Sequence, residues 1–417
     1  MVEVWIPYGE TEVCANIPTE NYMGSLEPRS FPETPNLEEQ LNLALENPIG
    51  VSLREAAKGK EKAVILLDEY AGSLPLKVLA LRVRGELEAA GISAENIVFL
   101  FGRGLEKPYS LEEALNLLGE AAEGCRVEVH DPRAEVEMAE IGSNSRRVKV
   151  FIRRDVAEAG VKILVGKVSP HPYAGFSGYG QTLMSAAGSL RTLTRNYVLY
   201  GSLDARAGKL EGNPLHAELT EEARLAGLSF ALHVVCDWDG KPLKIYAGDP
   251  EESFRRAASF FEENFSAKVK EKPRGVVASP GGKPYDSTLD GALQTLERVY
   301  GLVGGGGIIV LAAECFGERL NPQFLLWLNE AKSVEKAEAV FREKLEYGFH
   351  KVLRLRKLQA DRRIYMVTGL PETLASLLGF RVGRALDDVL QLAFRGLGEG
   401  KVLVIPQALK VLPRLEG

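Results

Sequence analysis

Short, continuous apolar runs punctuate this chain, and the stretches between them carry apolar residues at helical spacing. AVILLD at Ala63 to Asp68 and NIVFLFG at Asn96 to Gly102 are uninterrupted runs of the kind that fill parallel strands buried on both faces. Between them Leu79, Val83 and Leu87 recur every four residues, which predicts the apolar stripe of a crossover helix. A helix from Ser110, a strand at RVEVH and a strand VKILVGKV at Val161 to Val168 extend the series into one doubly wound sheet. LSFALHVVCDWDGKPLKIYAGD, Leu228 to Asp249, reads as two strands turning at Asp239-Gly240, and a helix from Pro250 to about Phe265 closes the region.

At the start of the chain, VEVWI and TEVCANI alternate apolar with polar residues around Pro7-Tyr8-Gly9 and predict a β-hairpin. The tract from Glu27 to Asn36, with Pro28, Pro32 and Pro35, predicts an extended connection. The charged segment KVKEKPR reads as an interdomain linker, followed by a second α/β series whose strands are RGVVAS, GIIVLAAE, RIYMVTG and KVLVIPQ. The expected organisation is two α/β domains, 1–272 and 273–417, with a cleft between them. A length of 417 residues agrees, because a single core normally stops growing well below that size.

Composition narrows the function classes. A formal charge of −6 and the lack of a long Lys/Arg run argue against nucleic acid as a partner, leaving a small molecule. No stretch approaches the roughly 20 apolar residues of a membrane helix, and the opening MVEVWIPYGE lacks the features of a secretion signal, so no membrane partner and a cytoplasmic location are expected. Cys14, Cys125, Cys236 and Cys315 lack CxxC spacing and read as buried thiols, with no metal site predicted. An oligomer is compatible with the sequence.

Candidate chemistry concentrates in SPHPYAGFSGYGQ, Ser169 to Gln181, where a buried strand runs directly into a glycine-rich loop and then a helix. Glycines after a strand let backbone N–H groups approach an anion, so Gly175, Ser177, Gly178, Gly180 and Gln181 are expected to bind a cofactor or an anionic ligand. The alternative is that these glycines serve only a tight turn. His171, stiffened by Pro170 and Pro172 and close to Tyr173, Ser177 and Tyr179, is the candidate general base.

Five ordered segments carry a family resemblance: IPYGETEVCANIPTENYMGSLEP, PHPYAGFSGYG, LEGNPLHAEL, YAGDPEE and GGGGIIVLAAEC. Through them the chain resembles the nickel-pincer lactate racemases over nearly its whole length. The resemblance implies a racemase or epimerase acting on a small 2-hydroxy acid, with a pyridinium mononucleotide held on a loop lysine and nickel held partly by a histidine. His171 matches one acid/base histidine of that family, and the other falls at Glu106. The lysine falls at Gln181, the nickel-ligating histidine at Tyr197, a strand-end aspartate at Asp68 and its arginine at Ala71. The substrate-orienting lysine and glutamine fall at Gln294 and Gly291.

No lysine lies between Val168 and Gly208 and no histidine between Pro172 and Leu215, so the covalent link and the imidazole ligand are not expected here. The cofactor is therefore left unnamed. A hydroxy acid or a nucleotide-like molecule is the expected ligand, and a non-catalytic binding or regulatory protein on the same fold is the competing function. Glu106 could serve as acid or base if buried opposite His171, or be a solvated side chain beside Lys107; Asp68 could be catalytic or a cap. Tyr197, Gln294 and His350 complete the candidate set as substrate-binding residues, His350 alternatively on a solvated helix face. His130, His216 and His233 read as structural, and Glu314-Cys315 as a strand-end site candidate.

Overall fold

The computed structural model describes residues 1–31, 35–316, 321–383, 385–395, 397–398 and 400–416. The chain is mixed α/β and forms two compact units, 31–261 and a second built from 1–30 with 262–417. The expected tract 27–36 lies partly outside the described residues.

In the 31–261 unit the fully buried runs Ala63–Leu67 and Ile97–Phe101 form adjacent parallel strands. The sheet order is Pro242–Gly248, Phe230–Cys236, Val161–Lys167, Ala63–Leu67, Ile97–Phe101, Arg126–Val129, with only the first strand antiparallel to its neighbour. Ile65 stands in register with Phe99 on one side and Ile163 on the other. The helix Leu76–Ala89 buries Leu79, Val83 and Leu87 against this sheet, as the four-residue spacing predicts. From Ala63–Leu67 the chain steps outward through Ile97–Phe101 and Arg126–Val129, then returns to Val161–Lys167 on the other side. The switch point therefore lies between Ala63–Leu67 and Val161–Lys167.

The second unit holds a six-stranded, all-parallel sheet ordered Arg381–Gly383, Arg363–Val367, Ile308–Ala312, Gly275–Ala278, Val402–Ile405, Tyr22–Ser25. This division differs from the expected 1–272 and 273–417. Tyr22–Ser25 pairs with Val402–Ile405, and the hairpin of Val2–Tyr8 with Thr11–Ile17 packs Ile6, Ala15 and Ile17 into the core of that same sheet. Burial of those three apolar residues is what recruits the first 30 residues. The expected linker also carries structure, since Ser266–Val269 is a strand paired in parallel with Leu412–Leu415.

Candidate functional site

At the switch point of the 31–261 sheet, Asp68, Glu69 and Tyr70 leave the carboxyl end of one strand and the loop from Val168 leaves the end of its neighbour. Ligands of open α/β sheets occupy this position. Side chains tie the two strand ends together: Thr182 donates to the Asp68 carboxylate, the Tyr70 amide donates to Asp68 Oδ1 at 3.0 Å, and Gln181 Nε2 donates to Glu69 Oε1 at 2.8 Å. Asp68 is fully buried, and burial pushes its carboxyl up to about 6. Its bonds are to the chain, so its part is to position the loop and helix that follow.

The loop folds back on itself, Pro170–His171 pairing with Gly175–Phe176. His171 Nδ1 accepts the amides of Tyr173 at 3.2 Å and Ala174 at 2.9 Å. A ring nitrogen that accepts cannot carry the proton, so the neutral imidazole holds it on Nε2. Burial also pushes this imidazole down to about 4. These facts alter the role expected of His171: near neutrality it offers an N–H donor from Nε2, and protonating Nδ1 would break two hydrogen bonds. Ser177 is not its partner. The Ser177 hydroxyl donates to the Lys167 carbonyl at 2.6 Å and accepts from the Ser169 amide at 3.1 Å, fastening the loop to the strand it leaves.

The glycines answer to packing within the chain. A Cβ on Gly175 would lie 2.2 Å from the Lys209 carbonyl, and one on Gly180 would lie 2.1 Å from that of Leu219. After Gly178 the helix Tyr179–Ala187 begins on a non-glycine residue in the left-handed region, Tyr179 at φ +44°. Its amide, one of the donors that a helix N-terminus could offer an anion, is used by His233 Nε2 at 3.3 Å. His233 Nδ1 in turn meets Ser253 Oγ at 3.0 Å, and that hydroxyl donates to the Asp249 carbonyl at 2.6 Å. Burial pushes His233 down to about 3, as a ring held neutral within this chain of bonds requires. The anion cradle expected at this helix start is thus closed by an imidazole.

Gln181 is committed as well. Its Oε1 accepts the Gly178 amide at 3.4 Å, and Nε2 donates to Ser185 Oγ at 3.1 Å besides Glu69. A carboxamide lacks the amine nucleophile that a covalent attachment needs, and its hydrogen bonds are already spent within the chain. Tyr197 is 1% exposed and packs its ring 5.3 Å from Tyr200, which lies 4.6 Å from Tyr173, itself 6.2 Å from His171. Tyr173 and Tyr200 of this aromatic run are partly exposed, as are Glu69, Tyr70 and Ser185. No group of three or more His, Cys, Asp or Glu able to hold a metal occurs among the described residues. The donor set at these positions does not fit a covalently held nickel group.

Glu106, expected to act if buried, is exposed at the end of a turn whose Glu106 amide bonds the Arg103 carbonyl at 3.0 Å. Gln294 and His350 belong to the other compact unit, on the helices Leu289–Tyr300 and Phe349–Gln359. His350 is 1% exposed, not on a solvated face, and burial followed by the charges of Lys351 and Arg354 holds its imidazole well below the usual range. His130 caps a structural role, its Nε2 2.8 Å from the Gly188 carbonyl. Glu69 escaped the sequence reading although it had a local signal, a second acid directly after a strand-end aspartate. His233, read as structural, is so, but its partner Tyr179 lies 54 residues away and had no local signal.

The lactate racemase N-terminal domain family matches residues 8–208. A lactate racemase from Thermoanaerobacterium thermosaccharolyticum is 30% identical over 80% of this chain and 79% of its own length. One from Lactiplantibacillus plantarum is 26% identical over 99% of this chain and 100% of its own. The structure of the Thermoanaerobacterium thermosaccharolyticum lactate racemase apoprotein superposes with a TM-score of 0.89 at 25% identity, covering 99% of this chain and 100% of that one. Kinship and architecture agree over both compact units, and the chain belongs to the lactate racemase family.

Proposed function

We propose that this chain is a racemase or epimerase of small 2-hydroxy acids, with the ligand in the crevice beyond Ala63–Leu67 and Val161–Lys167 and without a covalently attached nickel-pincer group. The observation that carries this proposal is His171, which stands in the loop of the family's motif at the switch point with Nε2–H available. A carboxylate or hydroxyl oxygen of a 2-hydroxy acid is a fitting acceptor for that donor. Partners are accordingly small polar acids, and the absence of a long, apolar helix among the described residues gives no candidate membrane span.

A second function is favoured by a specific observation: Gln181 and Tyr197 occupy the positions of the family's lysine and metal-ligating histidine, and both are already engaged inside the protein. On that basis the crevice would bind an organic acid without turning it over. Incubation of the purified protein with single enantiomers of a 2-hydroxy acid panel, read by chiral chromatography, separates the two. Interconversion that His171→Ala reduces at least tenfold supports the isomerase. Saturable binding with no interconversion, including in protein from a host that makes the nickel-pincer group, supports the binding protein. Intact mass equal to that of the bare polypeptide is expected in either case, and a covalent adduct would overturn the absence of attachment.

A further inference from the structure

Glu69 is the residue of the crevice whose bonding is incomplete. Its Oε1 accepts Gln181 Nε2 at 2.8 Å, while Oε2 is sealed from water and has no hydrogen-bond partner among the described residues. A buried carboxylate oxygen left in that state costs far more than a carboxylic acid O–H would.

The surroundings explain which form is favoured. Asp68 precedes Glu69 on the same strand end, Glu106 adds a second negative charge, and Tyr70 and Tyr200 are phenols whose own ionisation the neighbouring acids oppose. Lys167 acts on Asp68, and the Ser185 hydroxyl eases the ionisation of Glu69. Burial first and the charge of Asp68 second push Glu69 up to about 8. With Oε1 reserved as an acceptor by Gln181, the proton belongs on Oε2.

Building on the organic-acid site proposed above, we infer that Glu69 is the acid of this crevice, a turn of its side chain bringing Oε2 out of its sealed position to donate to an oxygen of the bound 2-hydroxy acid while Gln181 is the positioning residue that engages Oε1. A carboxylic acid O–H there suits a carboxylate or hydroxyl oxygen of the 2-hydroxy acid. No bond to carbon changes in this step, because the proton is shared between two oxygens.

Calorimetric binding of L-lactate and D-lactate across pH 6 to 10 tests the assignment. Affinity is expected to fall about tenfold per pH unit above pH 8 in the native protein, following deprotonation of a single group. Glu69→Gln, which keeps an N–H donor at that oxygen, is expected to bind with no such fall, whereas Glu69→Ala binds weakly at every pH. A Glu69→Gln protein that retains the fall overturns the assignment. Infrared spectroscopy of the ligand-free protein decides it separately from the substrate class. A protonated carboxyl stretch at pH 7 that weakens by pH 9 and is smaller in Glu69→Gln than in the native protein supports Glu69 as the acid even if lactate binds neither protein, an outcome that sinks the 2-hydroxy-acid function instead; Glu222, also pushed up to about 8 by burial, accounts for the band that remains. Equal bands in the two proteins overturn the acid.

Discussion

Both compact units place carboxylates beyond the ends of parallel strands, and they use them differently. In the unit of 1–30 with 262–417, the fully buried Asp286 accepts the Gly9 amide at 2.7 Å and the Glu314 amide at 3.2 Å on one oxygen, and its own carbonyl takes the Cys315 amide at 2.8 Å. The donors are main chain, contributed by the hairpin turn and by the strand end after Ile308–Ala312. The Glu314 carboxylate lies against Gly9, where a Cβ would approach it to 2.6 Å, and burial followed by that charge pushes the Tyr8 phenol up to about 12. Asp286 is therefore a staple holding the N-terminal hairpin to the sheet through one oxygen, while its other oxygen, like Glu69 Oε2, is buried without a partner among the described residues. Glu69 takes a single side-chain donor, the Gln181 carboxamide, and is itself partly exposed, as are Tyr173 and Tyr200. Topological position brings acids to both places, but the kind of donor decides whether an acid is structural or available to a ligand.

The largest expected effect tests the staple. Asp286→Ala leaves two buried backbone donors without an acceptor, and urea unfolding should register a loss of about 2–5 kcal/mol. Glu69→Ala should cost clearly less, and equal losses would erase the contrast drawn here. Intermediate in size is the helix cap: His233→Leu strips the acceptor from the Tyr179 amide and should cost about 1–3 kcal/mol. In His233→Gln an amide oxygen can take its place, so thermal unfolding should recover part of that loss.

The smallest effect is a pH slope. Asp68 and Glu69 have folded-state pKa values raised to about 6 and about 8, so they favour folding at low pH, and that contribution is lost as pH rises through those values. His171 and His233 have theirs lowered to about 4 and about 3, so their contribution is lost as pH falls below the ordinary imidazole range. Between roughly pH 6.5 and 8 only the carboxyls act. The melting temperature should drift down by a few degrees across that window in the native protein and by less in Glu69→Gln, where Glu222, pushed up to about 8 by burial, still contributes. A melting temperature that rises there would contradict the buried acid pair.

Much of this architecture is legible in the sequence because parallel strands buried on both faces leave unbroken apolar runs. Ala63–Leu67, Ile97–Phe101 and Ile308–Ala312 are such runs, and all are strands. Tyr22–Ser25 is not, since four residues, YMGS, carry no period, and its partner Val402–Ile405 lies at the far end of the chain. Ser266–Val269 was hidden by its lysine, which an edge pair tolerates at the surface. Within the site, His171 was visible because prolines and glycines frame it locally. Its tautomer was not, because that rests on two amide hydrogens whose direction only the folded loop fixes. The glycines carried a misleading signal, since the same absence of a Cβ that would admit a ligand admits the backbone of Lys209 and Leu219 instead.

The pairing of Tyr22–Ser25 with Val402–Ile405 also sets an order of events during synthesis. Tyr22–Ser25 is synthesised long before Val402–Ile405, its neighbour in the sheet. At 5–20 residues per second, about 20 to 80 seconds separate the two. The continuous segment 31–261 has every strand of its own sheet in hand long before then. The core that Ile6, Ala15 and Ile17 enter is drawn from Val277 onward and so is incomplete for that interval. A nascent chain stalled before residue 275 would leave the apolar face of these three residues without its sheet.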